Sequence, residues 1–424
     1  MSDVQKSWLL GCVLLHGLVC SAQTPPSLVP FLPTEAEVKS ALLSSPMMDM
    51  ARSKRDAGSA KALGIDVGPA EFTLRGSAQR RQEMLTGTPL HESMVSIERP
   101  IRLWGKRGLD AELSKQTLAY ADIEYSDAMH EGTRELMRLW FSHLKALVDQ
   151  KNAQSNLELT QKMYRLTQIQ FKNGEVSQLD HQLASAELNR VRAADAVAKA
   201  QVQTARAAFT QRYPNVALPS QVSLTLGPHE RAPLEALSDS MEVMRQEFLE
   251  KNHELNMMRI DAKRLQLVAQ RAQKDQMPDP TIGVFTARER SGTESISGLL
   301  FSMPIAGSSR TYHSKVAMAE AQAAADKVRL LEQQLGASFD AMWLQFQNKR
   351  SASDSLRLAW EGQAQAAEKS LKAYALGEGN LAQTLMISRF ASESLSAAES
   401  MNLEALELLA LIRLDLHQMW DFDE

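Results

Sequence analysis

Proline is missing from two long stretches of this 424-residue chain: none lies between Pro100 and Pro214, and none follows Pro304. An interior proline costs a helix roughly 3 kcal/mol, so these gaps are where uninterrupted helices can run. Cysteine is almost absent. Both copies, Cys12 and Cys20, fall in the apolar opening segment, so a chain processed beyond them has neither disulfides nor thiolate metal sites. Aromatic residues are only 6% and charged residues 23%, a balance that suits long helices better than a compact mixed core. The formal net charge of −4, without any basic run, offers nucleic acid no electrostatic footprint. Catalytic signatures are missing as well: no phosphate loop, no Gly-x-Ser-x-Gly and no Rossmann fingerprint. The histidines are scattered, with no His-x-x-x-His pair and no zinc spacing. An enzyme is therefore not expected, nor a cofactor or a resident metal.

The opening residues, MSDVQKSWLLGCVLLHGLVCSAQ, read as a secretory signal. Lys6 precedes an apolar run from Trp8 to Val19, and small residues follow at Cys20, Ser21 and Ala22. About 12 apolar positions cannot span ~30 Å of hydrocarbon, which argues against an anchor. Cleavage after Ala22 is expected. Acylation of Cys20 is the weaker alternative, because the bulky Val19 precedes it.

Within the proline-free gaps, apolar residues recur at helical spacings. Leu136, Leu139, Trp140, Phe141, Leu144, Leu147 and Val148 mark the first, and Val328, Leu331, Leu335, Phe339, Met342, Trp343 and Phe346 the second. Each helix is expected to run about 65 residues, or roughly 100 Å. Each then breaks in the same way, at FKNGEVSQLD from Phe171 and at YALGEGNLAQ from Tyr374, and a further helical run follows. Two more amphipathic runs, Thr34–Ala62 and Leu234–Gln276, lead into β-like stretches; the clearest strands are Met94–Ile97, Thr281–Ala287 and Ile296–Met303.

The landmarks repeat at a fixed offset. Phe171 and Tyr374 stand 203 residues apart, as do Gly174 and Gly377, while Pro100 and Pro304 are 204 apart. The chain reads as a tandem duplication of helix, hairpin, very long helix, turn and returning helix. The expected divisions are a signal at 1–22, a first repeat at 23–213, a proline-rich linker at 214–233 and a second repeat at 234–424. The half-length run 234–276 is expected to stack end to end with the first returning helix, and the N-terminal run with the last. The fold class is mainly α with a small β part. Two hairpins cannot close a sheet, so copies must share a barrel if the strands enter a bilayer.

The stretch PDPTIGV…GLLFSMPIAGSSR, the Ala-rich helix after it and the two aromatic-x-x-Gly breaks resemble the TolC family of outer-membrane efflux channels, over nearly the whole mature chain. IERPIRLWGKRG, from Ile97 to Gly108, looks like the CzcC-like heavy-metal branch. The resemblance implies a homotrimer whose four strands per chain build one transmembrane β-barrel in the outer membrane, above a long periplasmic helical tunnel. It also implies a periplasmic adaptor and an inner-membrane pump, for instance of the resistance-nodulation-division type, that supplies the energy for efflux. Docking would then fall at the tips, on Phe171, Gly174, Glu175, Leu179, Tyr374, Gly377 and Glu378. The family's gate maps onto Asp180 and Tyr374, while its arginine position is Gly379 here. Gln383 and Met386 stand where some members carry two carboxylates. Simpler roles remain open for the same residues: positive-φ turns at Gly174 and Gly377, a helix cap at Asp180, and packing for the Met47–Met50 run. A secreted coiled-coil scaffold without channel activity is the rival reading.

Overall fold

A computed structural model describes residues 32–222 and 240–422; the expected signal and most of the linker lie outside the described residues. Helix α1 spans Glu35–Leu43, opening on a Thr34–Glu37 capping box. Helix α2 spans Pro46–Val67, with Ser45 as N-cap and Pro46 in its first turn. The expected single run 34–62 is thus two helices, because a serine cap followed by proline starts a new one. Strands β1 (Thr73–Gln82) and β2 (Pro89–Pro100) form the first hairpin. Helix α3 then runs Lys106–Lys172, 67 residues, and α4 returns over Gln178–Arg212, 35 residues.

The second repeat follows the same order. Helices α5 (Met241–Lys251) and α6 (His253–Lys274) meet at Asn252, which ends one and caps the other. Strands β3 (Thr281–Glu289) and β4 (Glu294–Ser302) precede α7, Ser308–Ala375, 68 residues, and α8, Leu381–Asp415, 35 residues. Helices α2 and α6 are 22 residues each. Paired lengths of this kind are what a duplication requires.

The expected stacking needs correction. Helix α2 packs along α3, and α6 along α7 and α3, while α4 and α8 take the far halves of α3 and α7. Each half-length helix therefore lies against the long helix that follows it. The cause is the hairpin between them, which returns the chain beside the point where it left. On α3 the two partial partners abut near Gly132: Tyr213, just past α4, donates its hydroxyl to the Gly132 carbonyl at 3.2 Å, and Leu42 of α1 reaches the same glycine.

The four strands form one antiparallel sheet in the order β1-β2-β3-β4. Its central pairing joins the repeats, with Ile97 opposite Val284 and Arg99 opposite Ile282. Both outer strands are edges. Among the described residues no helix is long and apolar enough to cross a membrane, which says nothing of a β-barrel.

Candidate functional site: a two-faced sheet and a helical tip

The register sorts the side chains of the sheet onto two faces, with Arg80, His91 and Arg288 joining the more apolar one toward the hairpin turns. One face carries Leu74, Val95, Ile97, Ile282, Val284, Leu299 and Phe301, all exposed in the single chain. The other carries paired charges: Arg81 with Glu92 at 3.0 Å and Arg75 with Glu98 at 3.6 Å. On that face Gly298 leaves room for the ring of Phe285, whose nearest carbon would stand 2.6 Å from an added Cβ. Alternation on a pleated strand places the two sets on opposite sides. Exposed β-strand side chains of this kind are stable beside hydrocarbon on one face and water on the other. Arg99 lies on the apolar face but at its helix-side end, where it stacks on Phe72 at 4.8 Å and donates to the Ala70 carbonyl.

Where the strands meet the helices, a buried ionic cluster fixes the angle between them. Lys106, 1% exposed, donates to the Met277 carbonyl at 2.7 Å and to Asp279 at 2.8 Å. Asp110 accepts from Arg102 at 3.0 Å and from Arg271 at 2.6 Å. Arg102 also caps the end of α2 through the carbonyls of Asp66 and Val67. Burial alone would raise the Asp279 carboxyl, but the Lys106 ammonium and the Leu103 amide outweigh it and hold the group below its ordinary range. The distinctive IERPIRLWGKRG stretch supplies Arg102 and Lys106, so it is used to build this joint. Its Trp104, 94% exposed, stands outside it.

At the opposite end each long helix closes with a Schellman turn. Gly174 (φ 76°) donates to Phe171 and Glu175 to Gln170; Gly377 (φ 78°) donates to Tyr374 and Glu378 to Ala373. Both glycines are exposed, as are Phe171, Glu175, Leu179 and Glu378. Leu376, 77% exposed, joins this surface and was not foreseen, since nothing in its spacing marks it. Phe171 is also stacked on His181 at 4.9 Å between ring centroids.

Tyr374 behaves differently. It is 3% exposed, packed with Met163, Ala184 and Leu381, and shares a 2.8 Å hydrogen bond with Thr167 of α3. That bond ties the two helical hairpins together at the tip. Asp180 forms a reciprocal cap with Ser177, its carboxylate accepting from the serine hydroxyl at 2.6 Å and from its amide at 3.2 Å. Among the described residues no hydrogen bond joins Asp180 to Tyr374. Burial chiefly, and the Asp180 charge in addition, hold the Tyr374 phenol above its ordinary value, against the pull of the Thr167 bond. An arginine at Gly379 is sterically excluded, because a Cβ there would stand 2.7 Å from the Tyr374 amide nitrogen. Gln383 donates its amide to Asn380, Met386 is half exposed, and Met48 is fully buried as packing.

No protein-family model matches the chain, and no curated protein matches it by sequence. Solved structures do. The outer membrane protein VceC of Vibrio cholerae aligns over 91% of this chain and 95% of its own, at 16% identity and a TM-score of 0.73. CusC, described with transmembrane channel formation, aligns over 92% and 96% at 12% identity and a TM-score of 0.76. The open-state outer membrane channel MtrE of Neisseria gonorrhoeae aligns over 92% and 89%, at 14% identity and a TM-score of 0.64. The fold is that of the TolC-like outer-membrane channels, as the sequence resemblance implied.

Proposed function

We propose that this protein is the outer-membrane channel of a tripartite efflux system, a homotrimer that passively conducts what an inner-membrane pump delivers through a periplasmic adaptor. The observation that carries this reading is the sheet: one apolar face, one ion-paired face and two open edges, mounted on helices of 67 and 68 residues. A bilayer tolerates no open edge, so β4 of one copy would pair with β1 of the next until the barrel closes. Trp104 and Ile305, both almost fully exposed beside the strand ends, suit the membrane interface. The helices would then form a periplasmic tunnel, ending in the tips.

Docking of the adaptor falls to the exposed tip residues Phe171, Gly174, Glu175, Leu179, Gly377 and Glu378, together with Leu376. Of the two gate residues, Tyr374 carries the tie between hairpins, and Asp180 sets the start of α4 beside it. Metal cations are the narrower substrate reading and rest on the Ile97–Gly108 resemblance alone. Since that stretch builds the joint between sheet and helices, it supports the architecture more than the cargo. Native mass measurement in detergent with planar-bilayer conductance tests the proposal: a trimer with discrete conductance steps is expected. A monodisperse, non-conducting monomer would leave the coiled-coil scaffold instead.

A further inference from the structure

Three histidines that sequence spacing keeps apart meet at one joint. His130 lies on α3, His253 is the first residue of α6, and His417 follows the end of α8. Their ring centroids are 5.3, 5.7 and 5.0 Å apart, and one ring nitrogen from each lies within 4.8 Å of the others. Carboxylates orient two of them. His130 Nε2 is 3.1 Å from Asp415 Oδ1, and His417 Nδ1 is 3.3 Å from Asp421 Oδ1. A ring N–H given to a carboxylate leaves the opposite nitrogen as a lone-pair donor, the arrangement that surrounds metal-bound imidazoles. Asp415 is held in turn by Arg134.

The backbone at His417 points the same way. Helix α8 ends in the same Schellman turn as α3 and α7, with Gln418 donating to Arg413 and His417 to Leu414. In the other two the left-handed residue is glycine; here it is histidine, at φ 55°. A side chain in that conformation is disfavoured, and such outliers cluster where function holds them. The turn aims an imidazole at two others where a glycine would have cost nothing.

We infer that His130, His253 and His417 form a binding site for a borderline divalent transition ion of the Zn2+ type. Imidazole donors suit zinc, nickel and copper, and the absence of cysteine from the described residues leaves no competing thiolate. Carboxylates outnumber cations around the cluster: Asp127, Glu131, Glu254, Asp415 and Asp421 against Arg134 and Lys251. Asp127 lines a cavity of about 450 Å³ together with His130 and His253, which leaves room for water as the fourth ligand. Tetrahedral zinc with bonds of about 2.0–2.1 Å needs ligand nitrogens about 3.4 Å apart. Binding therefore draws the rings together and clamps α3 of the first repeat to α6 and α8 of the second, midway along the helices and far from the tips.

The test uses the full chain purified in detergent and stripped with chelator, titrated with Zn2+ alone and read by calorimetry and thermal melting. One ion per chain and a zinc-dependent rise in melting temperature are expected. His417→Gly removes a ligand while relieving the backbone, so its metal-free melting temperature should equal or exceed that of the parent. Its zinc affinity should fall at least tenfold, and the zinc-dependent rise should vanish. His253→Gln should lose affinity similarly, and Asp421→Asn about tenfold, as for other orienting carboxylates. Failure of the parent to bind zinc overturns the inference, as does unchanged affinity and stoichiometry in both histidine variants. The readout needs no channel, so it stands or falls apart from the proposed conduction.

Discussion

At Gly377 the backbone holds φ at 78° with no atom within 4 Å of an added Cβ, so the position is constrained by conformation and not by space. Gly377→Val should cost about 1–3 kcal/mol of strain confined to the tip. Normal amounts of assembled protein with lost adaptor binding are the expected result, read by membrane fractionation and a pull-down with the adaptor. Undiminished binding would take the tip out of the docking surface. Asp180→Ala removes the reciprocal cap with Ser177, at about 1 kcal/mol of local stability. Its single-channel conductance should not change, whereas Tyr374→Phe, which loses the tie to Thr167, should raise passive leak. A leak from Asp180→Ala alone would reverse these roles. The turn glycines were legible because Gly-Glu follows an aromatic at the same distance in both breaks. His417 was not, because it occupies a glycine's conformation without a glycine's signature.

Elements tell a similar story. Two proline-free gaps and three landmark pairs were enough to anticipate both long helices, their returns and the duplication, since proline and turn chemistry act locally. Partner choice was not local: whether 241–274 lies on α3 or α7 depends on where the hairpin delivers the chain, and no periodicity records that. Alternation in β4 is weak in the sequence, and the structure resolves it, leaving Leu299 84% exposed and Leu300 on the opposite face. Leu299→Arg should therefore impair membrane assembly by roughly 2–4 kcal/mol near the midplane, with Leu300→Arg better tolerated. Equal tolerance, measured as the folded trimer fraction in membranes, would argue against a lipid-facing strand. Between elements, Glu404 of α8 accepts from Lys145 of α3 at 2.6 Å and from Lys349 of α7. Burial raises its carboxyl, but the two ammonium groups prevail and bring it to about 2. Because the folded value lies below the usual 4.5, this contribution is complete above about pH 4.5 and fades as pH falls toward 2. Glu404→Gln should unfold less steeply with acid over that window than the parent, as followed by far-UV circular dichroism at graded pH.

For the whole molecule, the paired lengths show two copies of one unit joined side by side through β2 and β3, so a single chain already contains one internal copy of the contact it would repeat with neighbours. Chemical cross-linking between β4 and β1 should accordingly yield linked trimers and no longer ladders, since closed symmetry ends the series. The edges of β1 and β4 have a genetic consequence. If three copies share one barrel as proposed, no chain owns a complete one, so a chain that folds its helices but cannot pair at one edge would still take a place in the assembly and spoil it. With defective and intact chains made in equal amounts, roughly one trimer in eight would contain intact chains only. A lesion at either edge should thus behave as dominant, while loss of the whole gene product behaves as recessive.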